Sequence, residues 1–571
     1  MKTQSQLIKR IILLVVAVMF CTVFTHQASA APYASGITGT NGAGFVSFTM
    51  NEDGATVTVS FSDLTSTNLG VLPKGTTNFY LGNKTGFQIS CYKQGSGTPS
   101  IISSEAVGVY TYSNSVWNSP RGVAVNKNPS IGTNFGRLVV GNSANGSQSS
   151  GPKGVGLYLL NADQTYVRGP IGSNYFGGSG GNGPWRVRNN ADGTFLVNDF
   201  ATANASLLQF SPDLSSSNLV LSIIGSTASA AAGIHGDFFG CGIMKGSLAG
   251  GNLVLYTFDS GMAAPADTNC IKGPLTTPGS YNNVFRYDIG SGPLPWNKRP
   301  DYAYTVGLDG ISGLRVEGDV GNDGKVYAGF GRANASNPNL QILSPLLTTN
   351  GITGDLVNKD IQDAASSPTN WLYTGGVTPP FNLPPNGTAA DPWVGINGSG
   401  TAGGTYAGVR VSPDGRFIAS VDINNGITIA SLTNGIPNDG TIFGINQANF
   451  PFTAPAGITG VAANTGNSRG MDWDPAGNIW VVSSGQGLMR CFSLGQTTTC
   501  ISSNDWTGTN GTFAVVTPPI NASVSVINPT ASQNYVNNTI NPGSPVPGVF
   551  RISLDTANTT TAGSTFVSFT R

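Results

Sequence analysis

Charge is what this chain has least of. Charged residues make up 10 % of its 571 positions, against roughly 25 % in an average domain. The 28 basic and 28 acidic side chains balance, so there is no basic footprint for a nucleic acid. Histidine is nearly missing: His26 and His235 are the two in the chain. A Ser-His-Asp triad downstream of residue 30 would therefore have to use His235, and "IHGDFFG" around it is no nucleophile elbow. No Gly-x-Ser-x-Gly in a strand-to-helix setting, no His-Glu-x-x-His and no phosphate loop occurs. Gly318–Val326 places Asp319 and Asp323 like the first and fifth ligands of a calcium loop, but Gly321 and Phe330 stand where oxygen ligands are needed, so it reads as a hairpin. No metal site and no cofactor is expected.

Long apolar runs are absent too, with one exception. Lys2, Lys9 and Arg10 precede "IILLVVAVMFCTVF" (11–24) and "ASA" (28–30), the pattern of a secretory signal peptide cut before Ala31. Its apolar core is short for a membrane span, and nothing later is long enough. A secreted, extracellular, surface or periplasmic chain with a small excess of acids is the expectation. Five cysteines follow the leader. Cys491 and Cys500 bracket "FSLGQTTT" and are expected to pair in an oxidising compartment. Cys241 and Cys270 could close a second loop, which leaves Cys91 as the odd thiol; geometry decides the pairing.

What the chain has in abundance is glycine, serine, threonine and asparagine around short apolar runs. That suits tight turns between strands and disfavours long helices. A unit of strand, turn, strand and outer strand recurs. It is clear at Arg121–Ser143, Trp185–Phe200, Gly313–Gly331, Gly408–Asp422 and Arg469–Ser484. It is degenerate at His235–Gly290 and Thr512–Asp555. Asp192-Gly193, Asp323-Gly324 and Asp414-Gly415 are hairpin turns. One such unit cannot bury both faces of its sheet, so the units must stack, and a closed ring removes the open ends. The predicted fold is all-β: a β-propeller over residues 101–555 with seven blades, or six if the last unit is a tail.

"PRGVAV…GRLVVGNS", "SPDGRFIASVD" and "DPAGNIWVVSS" resemble the NHL and WD-repeat propeller superfamily, a resemblance that implies a fold more than an activity. Residues 31–100 differ. Gly44–Gly82 alternates apolar and polar residues around "NEDG" and reads as an antiparallel sandwich. Through "F-x-x-NEDG-x-x-V-x-V" it is similar to the immunoglobulin-like modules of flagellar hook-capping proteins, which implies a structural spacer. "FVSFT" at 45–49 recurs at 566–570, within the tail 556–571. Either this is compositional coincidence, or the tail adds a strand to a neighbouring subunit and self-association follows.

Aligned inner strands place Ala124, Arg315, Arg410 and Asp472 between apolar pairs, with Arg188 after Val187. Alternation along a strand puts these on one face. They form either an ion-pair ladder between blades, with Arg410 compensating Asp472, or a cationic funnel for an acidic sugar or peptide carboxylate. The sequence favours a secreted, non-enzymatic binding or structural protein of a bacterial surface, with a polysaccharide or surface protein as partner. The rival is a carbohydrate-active hydrolase or lyase using paired acids drawn from Asp237, Asp319, Asp422 and Asp472.

Overall fold

The computed structural model describes residues 31–95, 100–101, 117, 119–143, 154–173, 176, 183–198, 206–222, 242–264, 279–296, 301–309, 316–321, 324–330, 340–343, 408–422, 426–433, 436–446, 468–483, 488–493, 498–503, 522–526, 535–536, 539–540 and 550–554. Strands dominate these residues, with one 3-10 turn at Pro129–Asn134. Short strands follow from the turn chemistry. At Asp192-Gly193 the glycine takes φ 85° and its N–H closes the turn on the Asn190 carbonyl at 2.9 Å, a backbone setting that glycine adopts without a Cβ penalty.

Six small antiparallel sheets, numbered here as blades in chain order, run 120–171, 186–222, 242–309, 316–343, 408–446 and 468–493. Their inner strands are Pro120–Val125, Arg186–Asn189, Gly242–Lys245, Val316–Val320, Gly408–Val411 and Ser468–Trp473.

Each inner strand touches the neighbouring blade. Lys127 N–H donates to Asn189 Oδ1 at 3.0 Å, linking blades 1 and 2. A Cβ on Gly242 would lie 2.6 Å from Leu196, across blades 2 and 3, and one on Gly318 would strike Phe258, across 3 and 4. Val411 N–H reaches Asp319 Oδ2 at 2.7 Å, from blade 5 to 4. Trp473 Nε1 donates to the Arg410 carbonyl at 3.1 Å, from blade 6 to 5. Val125 N–H donates to Asp472 Oδ2 at 2.8 Å, which returns the chain of contacts from blade 6 to blade 1. The described sheets thus close about an axis as a β-propeller.

Packing explains the apolar alternation. Val123 and Val125 join a core with Trp480 and Val482 of blade 6, whereas Ala124 joins one with Val187 and Val197 of blade 2. Successive side chains of one strand therefore point to opposite neighbouring blades. Burying each of these valine side chains contributes about 1.5–3 kcal/mol.

Ahead of the ring, Ala34–Ser35, Phe45–Met50 and Gly75–Tyr80 form one sheet, and Ala55–Phe61, Ser66–Leu72 and Phe87–Lys93 belong to a second. Val46, Phe48, Met50, Val57, Val59 and Ile89 fill the sandwich between them. The two bodies trade strands. Ser100–Ile101 is the outer strand of blade 6, beside Leu488–Ser493. Thr498–Ser503, which follows blade 6, pairs with Phe87–Lys93 of the sandwich. Within the degenerate unit at Thr512–Asp555, the described strands are Ala522–Val526 paired with Phe550–Leu554, and a short Tyr535–Val536/Thr539–Ile540 pair.

Candidate functional site

The polar side chains expected along the inner strands are found between blades. Asp472 is 7 % exposed, Arg188 5 % and Arg410 2 %. Asp472 meets Lys127, whose Nζ lies 2.5 Å from Oδ2. The expected Arg410–Asp472 pairing is corrected accordingly: the Lys127 ammonium and the Val125 N–H take that carboxylate, while Arg410 Nη1 donates to its own strand's Val409 carbonyl at 2.7 Å. Arg188 donates through Nη2 to the Gly318 carbonyl of blade 4. Arg315, His235 and Asp237 lie outside the described residues. So does the 566–570 copy of "FVSFT"; its counterpart Phe45–Met50 is hydrogen-bonded on both sides, to Ala34–Ser35 and to Gly75–Tyr80.

The reason is geometric. Sheets stacked around an axis turn their faces toward one another, so alternation along an inner strand aims most side chains at the previous or the next blade; Arg188, which reaches from blade 2 past blade 3 to blade 4, is the exception. Asp319 and Asp472 consequently do the same work two blades apart, each accepting a neighbour's backbone N–H. Lys127, Asn189 and Asp319 in these roles were not singled out from the sequence, because a side chain's partner on another repeat has no signature in its own repeat.

A second cluster gathers at the start of the inner strands of blades 1 and 2. The Arg121 guanidinium lies 4.6 Å from the centre of the Trp185 ring and that of Arg186 5.3 Å from it. Arg186 Nη1 also holds the Arg121 carbonyl at 2.8 Å. Burial, and then the like charge of Arg186, lower the Arg121 pKa to about 10. Trp185 and Arg186 are buried, so of the two guanidiniums sharing the indole only the half-buried Arg121 is open to a carboxylate.

The cysteines need a correction as well. Cys491 and Cys500 do not pair: Cys491 is in the core between blades 6 and 1, and Cys500 stands opposite Cys91 in the sandwich sheet. All three are buried thiols, and burial pushes Cys91 up to about 12. The two cysteines stand on strands of different sheets, Leu488–Ser493 in blade 6 and Thr498–Ser503 in the sandwich. Cys241 and Cys270 lie outside the described residues. Among the described residues no three His, Cys, Asp or Glu side chains gather as a metal site, and no helix is long and apolar enough to cross a membrane.

One further polar cluster went unnoticed in the sequence. Hairpin turns in blades 1, 2 and 5 open with a neutral residue, Asn161, Asn190, Ser211 or Ser412, and carry an acid two places later, Asp163, Asp192, Asp213 or Asp414. Each acid caps the N–H two residues on, at 3.0 to 3.1 Å. In blade 6 the order is reversed. Asp474 opens the turn and Ala476 takes the acid's usual place. Asp474 is 0 % exposed and accepts from Ala476 N, Asn478 N, Asn478 Nδ2 and Trp480 Nε1 at 2.7–3.1 Å, all neutral donors. Burial raises its pKa to about 7 against the opposing pull of these bonds.

No protein-family model matches the chain, and no curated protein sequence matches it. Solved structures do. A Trichoderma reesei carbohydrate-active enzyme of family AA12 aligns at 13 % identity and TM-score 0.36 over 70 % of this chain and 97 % of that one. A gluconolactonase from Xanthomonas campestris aligns at 11 % and 0.32 over 72 % and 89 %. Virginiamycin B lyase from Staphylococcus aureus aligns at 11 % and 0.31 over 66 % and 95 %.

Proposed function

We propose that this is an exported, non-enzymatic binding protein whose propeller is a scaffold, and that its ligand carries carboxylates. One observation carries the reading: the buried inner-strand charges are bonded to the backbone and side chains of other blades. Asp472 engages Lys127 and Val125, Asp319 engages Val411, and Arg188 engages Gly318. Groups held in this way stabilise the ring and are poorly placed for proton transfer to a substrate. The Arg121 guanidinium, half-buried and 4.6 Å from the centre of the buried Trp185 ring, supports an acidic glycan as ligand class, since a guanidinium pairs with a uronate carboxylate. Export rests on the leader at residues 1–30, with the working chain starting at Ala31.

The test is binding of acidic and neutral polysaccharides to purified protein, with product analysis of the same mixtures. Retention of the acidic polymers, lost on raising salt and weakened about tenfold or more by Arg121→Ala, is the expected result. Turnover of any polymer would overturn the non-enzymatic reading, and equal retention of neutral polymers would overturn the ligand class.

A further inference from the structure

The segment Ala31–Gly36 is joined to every neighbouring part of the molecule. Ala34 and Ser35 pair with Met50 and Thr49 of the sandwich. Tyr33 OH reaches the Gly136 carbonyl of blade 1 at 3.2 Å, and Ala162 N–H donates to Ser35 Oγ at 3.1 Å. Ser502 Oγ donates to the Ala34 carbonyl at 2.9 Å. At its head, Ala31 is 0 % exposed and sits on the reversed turn of blade 6. Its nitrogen donates to Asn478 Oδ1 at 3.0 Å while its carbonyl accepts from Asn478 Nδ2 at 2.8 Å. The same Nδ2 donates to Asp474 Oδ2 at 2.7 Å. One side-chain amide thus connects the nitrogen of residue 31 with the buried carboxylate.

A carboxylate with neutral donors alone is an expensive thing to bury. The four turns of blades 1, 2 and 5 avoid it by keeping a neutral residue in this position and the acid exposed or half-exposed. Blade 6 departs from that rule at the one turn covered by the residue that the leader's cleavage pattern marks as the new N-terminus. A cut before Ala31 converts a peptide N–H into an ammonium with three donors and a full positive charge.

We propose that the α-ammonium group created by cleavage before Ala31 is the buried cationic partner of Asp474, joined to it through the Asn478 amide, so that leader removal locks the N-terminal strand onto blade 6. The proposal rests on the export reading for the cut itself. The reaction is ordinary peptide hydrolysis: water adds across the Ala30–Ala31 bond, the carboxylate leaves with residue 30 and the amine stays on Ala31. Before the cut, residue 31 offers Asn478 a neutral peptide N–H. Afterwards, a neutral ammonium–carboxylate pair replaces a lone buried acid.

The experiment makes the chain from a removable N-terminal fusion, so that it starts at Ala31, or at Ala30 with one residue retained. Each form is made with Asp474 and with Asp474→Asn. The Ala31 form should melt several degrees above the Ala30 form, and Asp474→Asn should abolish most of that difference. In the folded Ala31 protein the α-amine should react with an acetylating reagent at least tenfold more slowly than after unfolding, since reaction would need local opening. Equal melting of the two starts, the same difference in the Asp474→Asn background, or an α-amine labelled equally fast folded and unfolded would each overturn the pairing. The labelling arm needs no substitution, so it decides even if the Asn variant fails to fold. N-terminal sequencing of exported protein is a separate arm: a first residue other than Ala31 would overturn the cut, and with it the lock during export, while the fusion-derived protein still reports on the ion pair.

Discussion

A buried acid's environment decides which way it moves stability with pH. Asp474 is raised to about 7 in the folded chain whose residue 31 is still peptide-bonded, first by burial, whereas an unfolded aspartate titrates near 3.9. A raised folded pKa contributes stability that is complete below about pH 4 and is lost as pH climbs through about 7. A chain with residues retained ahead of Ala31 should therefore lose up to about 4 kcal/mol of unfolding free energy across that window. Asp474→Asn should flatten the profile in denaturant titrations. Tyr33 and Cys491 both feel the charge of this acid; burial holds both well above their usual values, so neither titrates in the window.

Lys127 makes the opposite case, an acid already compensated. Lys127→Met should cost about 1–3 kcal/mol, the penalty for leaving a buried acceptor short of its charged donor. Chemical denaturation would show it. A variant as stable as the parent would mean that Val125 and Trp473 N–H suffice for Asp472.

For the inner strands, backbone proximity sets the limits. A Cβ on Gly470 would lie 2.8 Å from Gly122 Cα and 2.9 Å from the Arg121 carbonyl, and one on Gly122 would lie 2.7 Å from Val187 N. These neighbours are main chain and cannot rotate aside. Gly470→Ala should therefore force blades 6 and 1 apart and cost at least about 1–3 kcal/mol. Gly39→Ala, with nothing within 4 Å, is the matched control and should be neutral in the same thermal melt. The repeated "RG" of "PRGVAV" and "RGMDW" now has a cause: the glycines let adjoining inner strands touch.

Across the whole molecule, sandwich and ring share strands in both directions, through Ser100–Ile101 and Thr498–Ser503, and share the 31–36 segment. Such sharing couples their unfolding. Calorimetry of the chain starting at Ala31 should give one transition. Deletion of residues 31–35 removes the Tyr33, Ser35 and Asn478 contacts together and should split the endotherm in two, the sandwich melting first. A single, unshifted transition in the deletion would show that the exchanged strands alone carry the coupling.

Local chemistry is what could be read without coordinates. Strand periodicity, Asp-Gly turns and repeat spacing depend on residues close in sequence, so the all-β class, the propeller and the two-sheet packing of Val46, Phe48, Val57 and Val59 were legible. Partnership was not. That Asp472 would take Lys127 rather than Arg410, that Cys500 would face Cys91 rather than Cys491, and that Asp474 would lie beneath Ala31 all depend on residues tens to hundreds of positions apart. Only ring closure brings those residues together, because a strand's alternation says that two faces exist and the stacking of whole sheets decides what each face meets.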